Sequence, residues 1–200
     1  MSKNVKIPVT FHDITTVLMW DDSYNKDDVR SRIPCGKTVS YWLARAFTLA
    51  NLKKYADRGQ YALCFFYQKK LPTTEESLKE LQEHYLKEIR KLKKEVSQNT
   101  LSAAIDIKSI IEPVELKIDI MPCPPVLMFV RLNMLCDEAH SELRKLYQFG
   151  TITKSDYFRK RRELFKPLNK FRADFASTVT EAGKLLRSLT AKEATNDASS

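Results

Sequence analysis

Glycine is scarce in this sequence, with four residues in 200. A chain so poor in glycine has few positions that turn tightly at no cost. With eight prolines and abundant Lys, Glu and Leu, it favours a helix-rich fold over a turn-rich β architecture. Long apolar runs are missing too. No stretch of about 18 apolar residues occurs, so no membrane span is expected. Met1-Ser2-Lys3-Asn4-Val5-Lys6 has no apolar core, so no secretory signal is read there and the expected location is the cytoplasm. Cysteine is thin and scattered. Cys35, Cys64, Cys123 and Cys136 lie far apart in apolar surroundings, which in a reducing compartment reads as free thiols. No internal repeat is visible, and no βαβ alternation supplies a parallel sheet.

Positive charge is plentiful. Lys and Arg number 34 against 25 Asp and Glu, a net charge of +9. Such a balance points to nucleic acid or an acidic partner, or to a merely solvated basic surface. At 43% hydrophobic, the chain has enough apolar residues for a core. Its length suits one domain, or one domain with appended helices.

The most informative stretch begins at Val114. Val114-Glu115-Leu116-Lys117-Ile118-Asp119-Ile120 alternates apolar and charged at every step, the period of a half-buried strand. Val114, Leu116, Ile118 and Ile120 share one face, and Glu115, Lys117 and Asp119 the other. Pro122, Pro124 and Pro125 end the strand, and the last two suit a first helical turn. Phe129, Leu132, Cys136, Ala139, Leu143 and Leu146 then recur at helical spacing. Gly150 is placed to stop that helix as a left-handed cap. Thr153-Lys154-Ser155-Asp156 reads as a capping box opening a second helix, with Phe158, Phe165, Leu168, Phe175, Val179, Ala182, Leu186 and Leu189 as its apolar positions. Pro167 is expected to kink or split it.

Strand, helix, glycine turn, helix resembles a ribbon-helix-helix unit. In that fold two chains pair their single strands into a ribbon that enters the DNA major groove. More widely, the chain resembles the AcaB family of conjugation regulators, carried by conjugative plasmids and integrative elements. The matching residues are Ala56-Asp57-Arg58-Gly59-Gln60-Tyr61-Ala62, the helix from Leu78 to Val96, the strand from Val114, and Leu143 through Leu164. The resemblance spans roughly residues 30 to 185. It implies a mainly α protein with short β-strands, a ribbon-helix-helix unit elaborated with additional helices. It also implies a transcriptional activator of transfer genes: a homodimer on double-stranded DNA, working with RNA polymerase or other transcription regulators, with no cofactor or metal. Base reading would fall to Glu115, Lys117 and Asp119, where Lys117 can donate to guanine and the acids can accept from cytosine. Thr153, Lys154 and Ser155 would grip a phosphate at the second helix's N-terminus.

The same region is rich in cations: Arg144, Lys145, Lys154, Arg159, Lys160, Arg161, Arg162, Lys166, Lys170 and Arg172, opposed within the segment by Asp156 and Glu163. On DNA such a cluster neutralises phosphates, with Arg159 beside the helix start; alternatively it is a solvated helix face. The expected division is a mostly helical part over 1–100, the ribbon-helix-helix part over 101–189, and a disordered polar tail over 190–200.

Elsewhere the pattern is less decisive. Lys6 to Phe11 reads as a strand interrupted by Pro8, and is a second candidate ribbon through Lys6, Pro8 and Thr10, with Cys35 to Ser40 as its turn into a helix. Ile14 to Trp20 suits strand or helix. Asp21 to Asp28 is a polar loop. Thr38 to Tyr55 reads as a helix, Tyr61 to Tyr67 as a buried aromatic segment, and Thr73-Thr74-Glu75-Glu76 as a box opening another helix. Ile105, Ile107 and Ser109 alternate weakly enough to allow a further strand.

Enzyme signals are incomplete. Ser31 to Thr38 approaches a P-loop but has Ser31 where the first glycine belongs. Asp137-Glu138-Ala139-His140 spells a helicase box, yet it falls in mid-helix rather than after a buried strand. Cys136 and His140 share a helix face but lack two further metal ligands. His12-Asp13 and Asp21-Asp22 form no acid–base set. The chain is therefore read as a non-enzyme. The competing reading is a helical interaction component of a conjugation or segregation apparatus, using the heptad-like stripe of the last helix as a seam for a partner helix.

Overall fold

Val114–Ile120 is a strand, but its partner lies in the same chain. In the computed structural model β1 (Val5–Phe11) and β2 (Val114–Ile120) pair antiparallel along all seven residues, from Val5 opposite Ile120 to Phe11 opposite Val114. The expectation that β2 pairs with its copy in a second chain is thereby corrected, and the two candidate ribbons are one ribbon. The reason is shared burial. Val9 and Phe11 on β1, with Ile118 and Ile120 on β2, enter the same core, so pairing within the chain satisfies the backbone and the apolar face together. The structure describes residues 4–24, 33–100 and 113–197, with side chains to residue 191 in the last segment. The weak alternation at Ile105 to Ser109, part of the acidic loop, and Ser31 and Arg32 lie outside the described residues.

After β1 come α1 (Ile14–Trp20), a short 3-10 turn, α2 (Gly36–Ala50) and α3 (Arg58–Ser97). After β2 come α4 (Pro124–Gln148) and α5 (Lys154–Asp197). The protein is thus mainly helical with one small antiparallel sheet. Helix α4 is its centre, packing against α1, α2, α3, α5 and β1. The predicted stripe of Phe129, Leu132, Cys136, Ala139, Leu143 and Leu146 is buried, and so are Asn133, Asp137, His140, Ser141 and Glu142 beside it. One hydrophobic cluster runs from Val9 to Ala182, so both halves of the sequence share a core.

Gly150 stops α4 as its position predicts. Its φ is +69°, Thr151 N–H donates to Leu146 O at 2.9 Å, and Gly150 N–H donates to Tyr147 O at 3.0 Å. Thr153 then caps α5, accepting from the Asp156 N–H at 3.1 Å.

Three expectations change. Pro72 does not end a helix: α3 runs through it, and Thr74 Oγ1 back-bonds to Lys70 O at 2.9 Å instead of opening a new helix. Leu63, Tyr67 and Leu71 before the proline and Leu78, Tyr85 and Ile89 after it share one core, which outweighs the single lost backbone bond. Tyr61 to Tyr67 is only half buried, because helical spacing turns Tyr61 and Phe65 outward. Helix α5 likewise passes through Pro167 and continues to Asp197, where a disordered tail was expected; no glycine or proline follows Gly183 to interrupt it.

Two glycines give opposite expected outcomes. Gly150→Ala forces an L side chain into the left-handed region and lowers stability by about 1–2 kcal/mol. Gly183, inside α5 with nothing near the place a Cβ would occupy, gains roughly 0.5–1 kcal/mol as Ala. Denaturant midpoints of the two variants check both signs.

Candidate nucleic-acid interface

The ribbon has an inner and an outer face. Antiparallel register places Lys6 opposite Asp119, Pro8 opposite Lys117 and Thr10 opposite Glu115, and residues directly opposite one another share a face. All six are exposed while their neighbours along each strand, apart from Val5 at the start of β1, turn toward the core. No side chain among the six makes a hydrogen bond or an ion pair with another described residue. A proline on β1 is tolerated because both strands of a two-stranded sheet are edges. The face is mixed in sign, with Lys6 and Lys117 against Glu115 and Asp119.

Where β1 joins α1, a polar cluster fixes the ribbon's base to α4 and α5. The His12 N–H donates to Asp137 Oδ2 at 2.8 Å, and His12 Nδ1 lies 2.7 Å from the same oxygen. Asp13 caps α1 by accepting from the Thr15 N–H at 2.7 Å, and its other oxygen accepts from Arg144 Nη1 at 3.2 Å. Arg161 of α5 donates to Thr15 Oγ1 at 2.6 Å. His140, fully buried, has Nε2 3.0 Å from the Tyr157 hydroxyl and Nδ1 3.9 Å from Asp13.

Burial pushes the Asp137 carboxyl up, opposed by the hydrogen bonds from His12. Burial also acts to raise Asp13, but the Thr15 hydrogen bonds, His140 and Arg144 outweigh it and hold that carboxyl low. These residues were set aside as a functional group in the sequence. An Asp before an apolar run is a helix-cap signal that marks Asp13; no local signal links His12 to Asp137, 125 residues away. The cluster joins β1 and α1 to α4 and α5. No hydroxyl or thiol among the described residues is hydrogen-bonded to His12, and the clefts between α3 and α5 do not include it. Cys136 stays a thiol, pushed up to about 12 by burial. Among the described residues no group of three or more His, Cys, Asp and Glu could hold a metal ion.

The basic segment is less free than its sequence suggests. Arg172 is buried and donates from Nε to Pro34 O at 2.6 Å. Arg144 and Arg161 belong to the joint. Lys145 pairs with Glu142 at 2.6 Å, Lys160 with Glu95 at 3.9 Å, Lys170 with Asp174 at 2.7 Å and Arg159 with Asp156 at 2.7 Å. Beyond Asp156 and Glu163 within the segment, acids outside it reach these cations: Glu142 and Asp174 on the same helices, and Glu95 and Asp13 brought in by the fold. Lys154, Arg162 and Lys166 remain exposed with no acidic partner among the described residues.

At the start of α5, Thr153, Lys154 and Ser155 are exposed, as is Arg159. The Asp156 carboxylate already sits there, held by Thr153 Oγ1 at 2.8 Å and by Arg159. The Thr153 hydrogen bond and then Arg159 hold it below the usual carboxylate range. A phosphate approaching this helix end therefore meets that charge, with Arg159 within reach of both. The stripe read as a seam for a partner helix is largely spent inside the chain: Phe165, Leu168, Phe175 and Ala182 are buried, and only Phe158 and Leu186 are clearly exposed.

No family model matches the sequence, and no curated protein or solved structure does. No helix among the described residues is long and apolar enough to cross a membrane.

Burial lowers the His140 imidazole to about 4, reinforced by Arg161 and Arg144 and partly opposed by Asp13. The unfolded chain, near 6.5, binds the proton first. Stability supplied by neutral His140 is therefore full above about pH 6.5 and is lost as pH falls toward 4. His140→Gln should flatten the stability–pH slope across that window, with Asp137 present in both proteins. An unchanged slope contradicts this.

Proposed function

We propose that the outer face of the β1–β2 ribbon enters the major groove of double-stranded DNA, and that the protein is a sequence-specific transcription regulator. The observation that carries the reading is the row of exposed side chains on two paired strands, none bonded to another side chain among the described residues, on a ribbon anchored through α4. Two strands lie about 5 Å apart. A groove about 12 Å wide admits them with their side chains. Lys117 donates to a guanine edge, and Glu115 and Asp119 accept from cytosine amino groups. Outside the groove, the N–H groups at Thr153, Lys154 and Ser155, with Arg159, Arg162 and Lys166, hold phosphates without reading sequence. Activation of conjugative transfer genes, with RNA polymerase or other regulators as partners, follows from the likeness to the AcaB family.

Electrophoretic shifts on DNA upstream of transfer genes test this. Binding should weaken steeply as salt rises. Lys117→Ala should relax discrimination at one base pair by roughly tenfold, within the range of about 1–3 kcal/mol for a good base contact. Lys154→Ala should weaken all DNA alike and reduce the salt slope by about 1. Equal loss on every sequence from Lys117→Ala contradicts readout by the strand.

A further inference from the structure

The order strand, helix, helix occurs twice in this chain: β1, α1, α2 and then β2, α4, α5. Both strands have seven residues and alternate in register, so antiparallel pairing gives the ribbon backbone a local two-fold centred on Pro8 opposite Lys117. The side chains do not obey that two-fold. In a ribbon made by two identical chains, each readable residue appears twice, once on each side of the dyad, and the preferred DNA is palindromic. Here one strand presents Lys6, Pro8 and Thr10, and the other Glu115, Lys117 and Asp119. At one end Lys6 faces Asp119; at the other Thr10 faces Glu115. The halves behind the ribbon differ as well, with seven residues in α1 and 25 in α4.

Resting on the DNA-binding reading above, we propose that one chain reads one non-palindromic DNA element through its own complete ribbon, with no second copy needed to assemble the reading surface. Six steps at about 3.3 Å make the ribbon about 20 Å long. That corresponds to about six base pairs at 3.4 Å each. Lys117 reads near the centre of that element. Lys6 donates at one end only, where the dyad-related position of the other strand carries Thr10's partner Glu115, an acceptor. The five polar side chains of the face, all but Pro8, supply donors and acceptors in an order that differs when read from the two ends, which is what gives the element a direction.

The test is selection of duplexes from a random library by the full-length protein, followed by sedimentation of the selected complex. The expected result is a directional motif of about six base pairs with no dyad, bound by one chain per motif. Lys6→Ala should then relax preference about tenfold at a single terminal position, and Lys117→Ala at a single central one. A palindromic core, or loss at two dyad-related positions from Lys6→Ala, overturns the inference while the DNA-binding reading stands. Duplexes bound without sequence enrichment overturn the inference and leave only a backbone binder. No retention of any duplex at low salt removes the DNA-binding reading itself and the inference with it. Circular dichroism of each variant separates lost contacts from lost fold.

Discussion

The pairing of β1 with β2 is the constraint on which the rest depends. Phe11 and Val114 are neighbours in the ribbon although about 100 residues separate them in sequence. Closing so long a loop costs entropy before any contact repays it. The pairing holds because each strand delivers apolar residues to a single core: Val9 and Phe11 from one, Ile118 and Ile120 from the other. Once those side chains turn inward, the strand period turns the polar ones outward. The polar outer face is thus a by-product of the core face.

Helix α4 converts the ribbon into a fixed platform. It is covered on most sides, and its buried Asp137 and half-buried Arg144 grip the β1–α1 joint. A buried carboxylate is costly unless it is hydrogen-bonded. Asp137 Oδ2 meets that condition through the backbone and ring of His12 and so ties the strand end to the helix, while Oδ1 is buried with no hydrogen-bond partner among the described residues. Arg144 and Arg161, conspicuous in the sequence as part of a basic segment, have the same structural task.

Much of this was legible residue by residue. The alternation of Val114 to Ile120, the stripe of α4, the left-handed Gly150 and the Thr153–Asp156 cap are local signals, and each appears where its chemistry requires. What sequence could not supply was the partner. Two strands were visible, each with an outer face, but nothing local says that Lys6 to Phe11 lies beside Val114 to Ile120. The same gap misread the cations, since Glu95 and Asp13 reach Lys160 and Arg144 only through the fold. The box at Thr73 misled for a related reason. Local signals mark a helix start there and a kink or split at Pro167, while burial on both sides keeps α3 and α5 continuous through Pro72 and Pro167.

The central claim is that bases, not a protein partner, lie against the ribbon's outer face. Photo-crosslinking addresses it most directly. A benzophenone side chain placed at Glu115 should form adducts with bases of a bound duplex, whereas one at Ser77 on α3 should not. Base adducts from Glu115 alone are the predicted result. Equal labelling from both positions, or none from Glu115 with DNA demonstrably bound, contradicts the account.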